Sequence, residues 1–130
     1  MLPSRNRLRK GFLRIYKDKK KVVNPMFLLF YKENEKGYPR VGFVIRKKLG
    51  KAHLRNKVKR EFRSIVREKL TDDDNFKSMG CDFIFLVNHN LTKLDSTKKE
   101  SFEWGDIKYI DIKTNIINAF TEVSVQIDKI

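Results

Sequence analysis

An α/β sandwich is the fold this 130-residue sequence predicts, with a mixed central sheet of about four strands and three helices in the order α-β-β-β-α-β-α. Three observations carry that expectation. The segment 47–69 is apolar on one helical side and cationic on the other. Short runs dense in aromatic and aliphatic residues, at 26–32, 40–46 and 81–87, read as strands. A second amphipathic helical pattern closes the chain, from about Asp106 or Asp111 onward. A chain of this length holds one core, so residues 1–130 read as a single domain.

Each element has its own justification. Ser4 is placed to cap a first helix through residues 5–17, where Leu8, Phe12, Ile15 and Tyr16 recur at helical spacing. Gly11 weakens that helix by about 1 kcal/mol relative to alanine. A basic run leads to Val22 and Val23, and Asn24-Pro25 is a break. The first long strand, Met26 to Lys32, and the next, Arg40 to Arg46, flank a turn supplied by Asn34, Gly37 and Pro39, which predicts an antiparallel hairpin.

After the turn at 47–50 comes the basic helix, Lys51 to about Leu70. On a helical wheel Leu54, Val58, Phe62, Ile65 and Val66 share an arc of about 120°. Asn56, Lys59, Arg60, Arg63 and Arg67 lie opposite, with Arg55 at the margin. Residues 71–80 read as a loop, and the strongly apolar strand 81–87 as the sheet's centre. Residues 88–107 are polar and long for a connection. In the last helix Ile116, Phe120, Val123 and Ile127 share one face, with Ile117 at its margin.

Charge distribution bounds the function. The net charge is +14, but residues 1–70 carry 23 Lys and Arg against five Asp and Glu, a net +18, while residues 71–130 carry −4. Between Lys47 and Lys69 ten cations face only Glu61 and Glu68. A solvated helix face mixes signs, so this one reads as a nucleic-acid footprint, and the acidic half as a scaffold facing away. Six to ten phosphate contacts would cost roughly 10³–10⁵ in affinity over a fourfold rise in salt.

No apolar run reaches the ~18 residues of a membrane span, and the N-terminus has no secretory h-region. Cys81, the single cysteine, excludes an internal disulfide and reads as an inert residue at a strand's start; the expected compartment is the cytoplasm. His53 and His89 lack partners at metal-ligand spacing. Asp72, Asp73 and Asp74 read as an acidic loop rather than a two-metal site, since Asp82 is the only strand carboxylate to support one. No phosphate-binding loop or nucleophile–base pair is present, so the chain reads as a binder without chemistry of its own. Phe12, Tyr16, Phe27 and Phe30 are core by periodicity, or exposed rings that stack on unpaired bases; periodicity alone leaves both open.

The run Lys47 to Arg60 resembles the signature of the bacterial ribonuclease P protein subunit. Its K-x-x-G-x-A-x-x-R-N-x-x-K-R pattern is matched at Lys47, Gly50, Ala52, Arg55, Asn56, Lys59 and Arg60, after an RVGF strand. The resemblance runs from Arg5 to about Val87. It implies an α/β sandwich with a left-handed βαβ crossover, and partnership with a catalytic RNA in removing the 5′ leader from precursor tRNA. It implies an endoribonuclease whose hydrolysis belongs to the RNA subunit and Mg²⁺, with no catalytic residue, metal or cofactor held by the protein itself. RNA contacts are then expected at Lys47, Lys48, Lys51, Arg55, Asn56, Lys59, Arg60, Arg63 and Arg67. A leader cleft is expected at Phe12, Tyr16 and Phe30, with Phe30 rather than Phe27 as the exposed ring. No membrane and no obligate protein partner are implied. The alternative reading is a basic ribosomal or ribosome-assembly protein, which needs the charge but not the cleft. A DNA-binding regulator lacks a helix-turn-helix pair. A protein-only nuclease would need clustered acids in the basic half.

Overall fold

The computed structural model describes residues 2–88, 104 and 107–128. Expectations for 89–103 and 105–106, His89 and Asp106 among them, lie outside the described residues. Four strands form one sheet: β1 (Lys21–Val23), β2 (Phe27–Glu33), β3 (Arg40–Val44) and β4 (Cys81–Val87). Their spatial order is β1-β2-β4-β3, with β2 antiparallel to both β1 and β4, and β3 parallel to β4. The helices are α1 (Phe12–Lys17), α2 (Ala52–Asp72), α3 (Asp74–Lys77) and α4 (Tyr109–Asp128). The element order of the sequence reading stands, with α3 added where it had a loop.

Two expectations about the strand pairing and the first helix fail. The predicted β2–β3 hairpin is absent because β4 lies between these strands. Six of β4's seven residues are buried. A strand apolar on both faces needs cover on both sides of the sheet, and an interior position gives it that cover while pairing both of its backbone edges. The 34–39 connection therefore crosses the end of β4, held by the Asn34 N–H to the Gly80 carbonyl at 2.8 Å.

The first helix is also shorter than expected, starting at Phe12 after Gly11, whose φ of 83° is left-handed. Before it, residues 4–6 make a 3₁₀ turn and Arg7 bridges Val41 in parallel, with the Leu8 N–H on the Val41 carbonyl at 3.0 Å. Pairing with the open edge of β3 outcompetes helix formation over residues 7–8.

The sheet's two faces differ. Phe27, Leu29, Tyr31, Val41, Phe83, Phe85 and Val87 point to one face, where Val58, Phe62, Ile65 and Val66 of α2 meet Ile112, Ile116, Phe120 and Val123 of α4. Phe62, Phe85 and Phe27 pack edge-to-face, with centroids 5.0–5.9 Å apart. α4 lies beside α2 in this layer, and Lys113 reaches Glu68 at 2.7 Å. The terminal helix of the acidic half thus shares a layer with the basic helix instead of facing away from it. On the other face α1 buries Ile15 against Ile84 and Leu8.

Cys81 is buried and its thiol is pushed up to about 12, chiefly by that burial, as expected of an inert residue. Within the Asp72–Asp74 run, Asp73 has a structural part. Asp73 caps α3 by accepting the Phe76 N–H and pairs with Lys69 at 2.8 Å; that bond, first among the causes, lowers its carboxyl.

Candidate nucleic-acid interface

The cationic face begins at a 3₁₀ turn, Lys47–Leu49, that delivers the chain to α2. Gly50 follows with φ 155°, where a Cβ would sit 2.8 Å from Leu54 Cδ2. The junction is locked by Arg55, whose Nε donates to the Gly50 carbonyl at 3.1 Å. Lys47, Lys48, Lys51, Asn56, Arg60 and Arg67 are exposed, while Arg55, Lys59 and Arg63 are half-buried. Among the described residues none of these cations pairs with a carboxylate. Lys69 departs from the set: it pairs with Asp73 and lies over the Phe76 and Phe120 rings, at 5.6 and 5.8 Å. Arg55 has a structural duty that the wheel, with its marginal position, does not reveal.

The aromatic residues sort by strand alternation. Phe27 is fully buried in the α2–α4 layer, whereas Phe30 points to the α1 face and is half-buried. Tyr16 meets Phe30 edge-on, with centroids 4.8 Å apart and planes at 84°. Burial raises the Tyr16 phenol, and the nearby Arg46 opposes that shift. Phe12 lies across β3: a Cβ on Gly42 would stand 2.6 Å from its Cζ, so glycine is what lets this ring approach the sheet. Leu28, Leu86 and Val44 continue the face as a half-buried apolar row, and Val23, paired with Leu28, is 73% exposed. The floor beyond α1 is thus apolar and open, with Phe12, Tyr16 and Phe30 along its covered end.

Asp82 governs the geometry of that end. It is buried, and both carboxylate oxygens accept hydrogen bonds: Oδ1 from Arg40 Nε at 2.7 Å and Asn34 Nδ2 at 2.8 Å, Oδ2 from Arg40 at 2.6 Å and Arg14 at 3.2 Å. One carboxylate on β4 therefore ties β3, the 34–39 connection and α1 together. With its oxygens so engaged, Asp82 is an anchor and does not support a metal site at the acidic run. Among the described residues no cluster of three or more His, Cys, Asp or Glu is placed to hold a metal ion. The sequence reading missed this tie, since Arg14, Asn34, Arg40 and Asp82 lie up to 68 positions apart. It also missed Arg7 and Arg9, which the residue 7–8 pairing carries to the side of α2 beside Lys59 and Arg63.

The family model for ribonuclease P matches residues 2–104, beyond the Val87 limit read from the sequence. The ribonuclease P protein component of Mycoplasma mycoides is 36% identical over 112 residues, covering 86% of this chain and 88% of that protein. The ribonuclease P protein structure from Staphylococcus aureus superposes with a TM-score of 0.69 at 25% identity, covering 91% of this chain and 94% of that one. The Thermotoga maritima ribonuclease P protein gives a TM-score of 0.65 at 27% identity, over 86% of this chain and 92% of that one.

Proposed function

The chain belongs to the ribonuclease P protein family and is an RNA-binding subunit of that tRNA-processing endoribonuclease; from this we propose how its two surfaces divide the work. The exposed cations of the 47–51 turn and α2, with Asn56, lie along phosphates of the catalytic RNA. The open sheet face receives the single-stranded 5′ leader of precursor tRNA, its bases stacking on Phe12, Tyr16 and Phe30 with little sequence preference. The observation that carries the division is the sorting of the rings. Phe27 is sealed in the core, while Phe30 and Tyr16 form a half-buried edge-on pair at the head of an apolar floor.

Hydrolysis is assigned to Mg²⁺ held by RNA and substrate phosphates. The protein contributes positive potential, which lowers repulsion between two polyanions and lets metal ions bind at lower concentration. Stacking holds the leader, and the tie through Asp82 keeps α1 at a fixed height over the sheet. The complex works in the cytoplasm, and no described helix is long and apolar enough to cross a membrane.

The test is precursor-tRNA cleavage at low magnesium by a bacterial catalytic RNA, with and without this chain. Restored 5′ maturation, with the chain inert alone, is the expected result. Tight RNA binding without any gain in cleavage would overturn the proposal.

A further inference from the structure

A cavity of about 350 Å³ lies between the N-terminal segment, β3 and α2, lined by Arg7, Arg9, Phe12, Phe43, Lys59 and Arg63 among others. It adjoins the cationic face without being needed for it. None of its four cations pairs with a carboxylate among the described residues. Phe12, Leu8 and Val41 make the rest of its wall mainly apolar. A cavity for bare phosphate has no use for such walls.

The main chain adds the decisive feature. The Arg7–Val41 bridge and the Leu8 N–H on the Val41 carbonyl turn Val41's peptide groups toward the open edge of β3. Strand alternation makes Phe43 do the same two residues on. By then the N-terminal segment has left the sheet. The outward N–H and C=O of Phe43 thus have no backbone partner among the described residues. A donor and an acceptor stand side by side, in a cavity with an aromatic wall and four cations around it. That is the complement of one nucleotide: a base edge, a base face and a phosphate.

We propose that this cavity takes one unpaired ribonucleotide, its base edge on the Phe43 main chain, its face against Phe12 and its phosphate among Arg7, Arg9, Lys59 and Arg63. The inference rests on the reading of the chain as a ribonuclease P subunit, and two RNAs can supply the nucleotide: the catalytic RNA or the precursor leader. A duplex cannot, because its base faces are stacked and its Watson–Crick edges are paired.

The test has two stages. Amide NMR spectra of the full chain are recorded with adenosine or uridine 5′-monophosphate, and separately with inorganic phosphate. The nucleotides shift the Phe43 amide at concentrations where phosphate does not; identical responses to both overturn the proposal. Amide exchange is then followed in the complex. Protection of Phe43 by about tenfold or more on adding catalytic RNA alone assigns the nucleotide to that RNA. The same protection only after precursor is added assigns it to the leader. Phe43 exchanging as in the free chain, with the RNA bound, overturns the cavity and leaves RNA binding intact. Failure to bind RNA at all overturns both readings.

Discussion

The two faces of the sheet use the same kinds of residue to opposite ends. Against α2 and α4, Phe27, Phe62, Phe83, Phe85 and Phe120 are sealed almost completely from water. Against α1, Leu8, Ile15 and Ile84 are the buried apolar side chains among the described residues, and Phe12, Tyr16, Phe30 and Val44 stay half open around them. An aromatic ring on one side is stability; on the other it is half-open surface, which the proposed function gives to the leader. The difference follows from coverage. α2 and α4, of 21 and 20 residues, lie on one face, while the six-residue α1 reaches only part of the other.

Substitutions on each face separate the two roles. Phe85→Ala, on the sealed face, is expected to cost about 3–5 kcal/mol in denaturant unfolding, the cavity it leaves being too enclosed to collapse. A cost near 1 kcal/mol would show that the face is loosely packed. Asp82→Ala should cost about 3 kcal/mol, since it strands the Arg40 guanidinium, which is largely buried; water reaching Arg14 and part of Arg40 holds the figure to the lower end. It should also loosen α1 and reduce affinity for precursor tRNA more than for mature tRNA. Equal losses would confine Asp82 to a stabilising role.

Gly42→Ala tests the open face from below. The added methyl must displace Phe12, and a cost of about 1–3 kcal/mol is expected together with weakened leader binding. Unchanged precursor affinity would remove Phe12 from the cleft. Arg60→Ala touches neither face of the sheet. Stability should stay within about 0.5 kcal/mol, while the salt slope of catalytic-RNA binding falls by about one. An unaltered slope would place Arg60 away from phosphate. Arg55→Ala is a less clean probe, because it also frees the Gly50 carbonyl.

How much of this was legible follows the same division. Helical periodicity placed α2 and α4 and picked Val58, Phe62, Ile65 and Val66 as core, because a long amphipathic helix leaves its pattern in consecutive residues. The seven-position motif located the cationic face, and strand alternation put Phe27 and Phe30 on opposite sides. The failures lie where distant segments compete for one place. Nothing in residues 26–46 says that a strand 40 positions later will enter between β2 and β3. Nothing in residues 5–11 says that the edge of β3 will claim Arg7 and Leu8 from the helix. The Asp82 tie was hidden for the same reason, its donors coming from three separate elements. Local patterns give elements and faces; adjacency in the sheet is settled by which strand gains most from two neighbours.

In the proposed division the α1 face of the sheet holds the leader while α2 holds the catalytic RNA. That division is tested most directly by measuring affinity of the assembled holoenzyme for precursor and for mature tRNA, with Phe30→Ala beside the unaltered chain. Loss of a stacking ring should weaken precursor binding by about 1–3 kcal/mol, leaving mature tRNA and catalytic-RNA affinity unchanged. Equal weakening for both tRNAs, or none for either, would return Phe30 to the core and contradict the division between the faces.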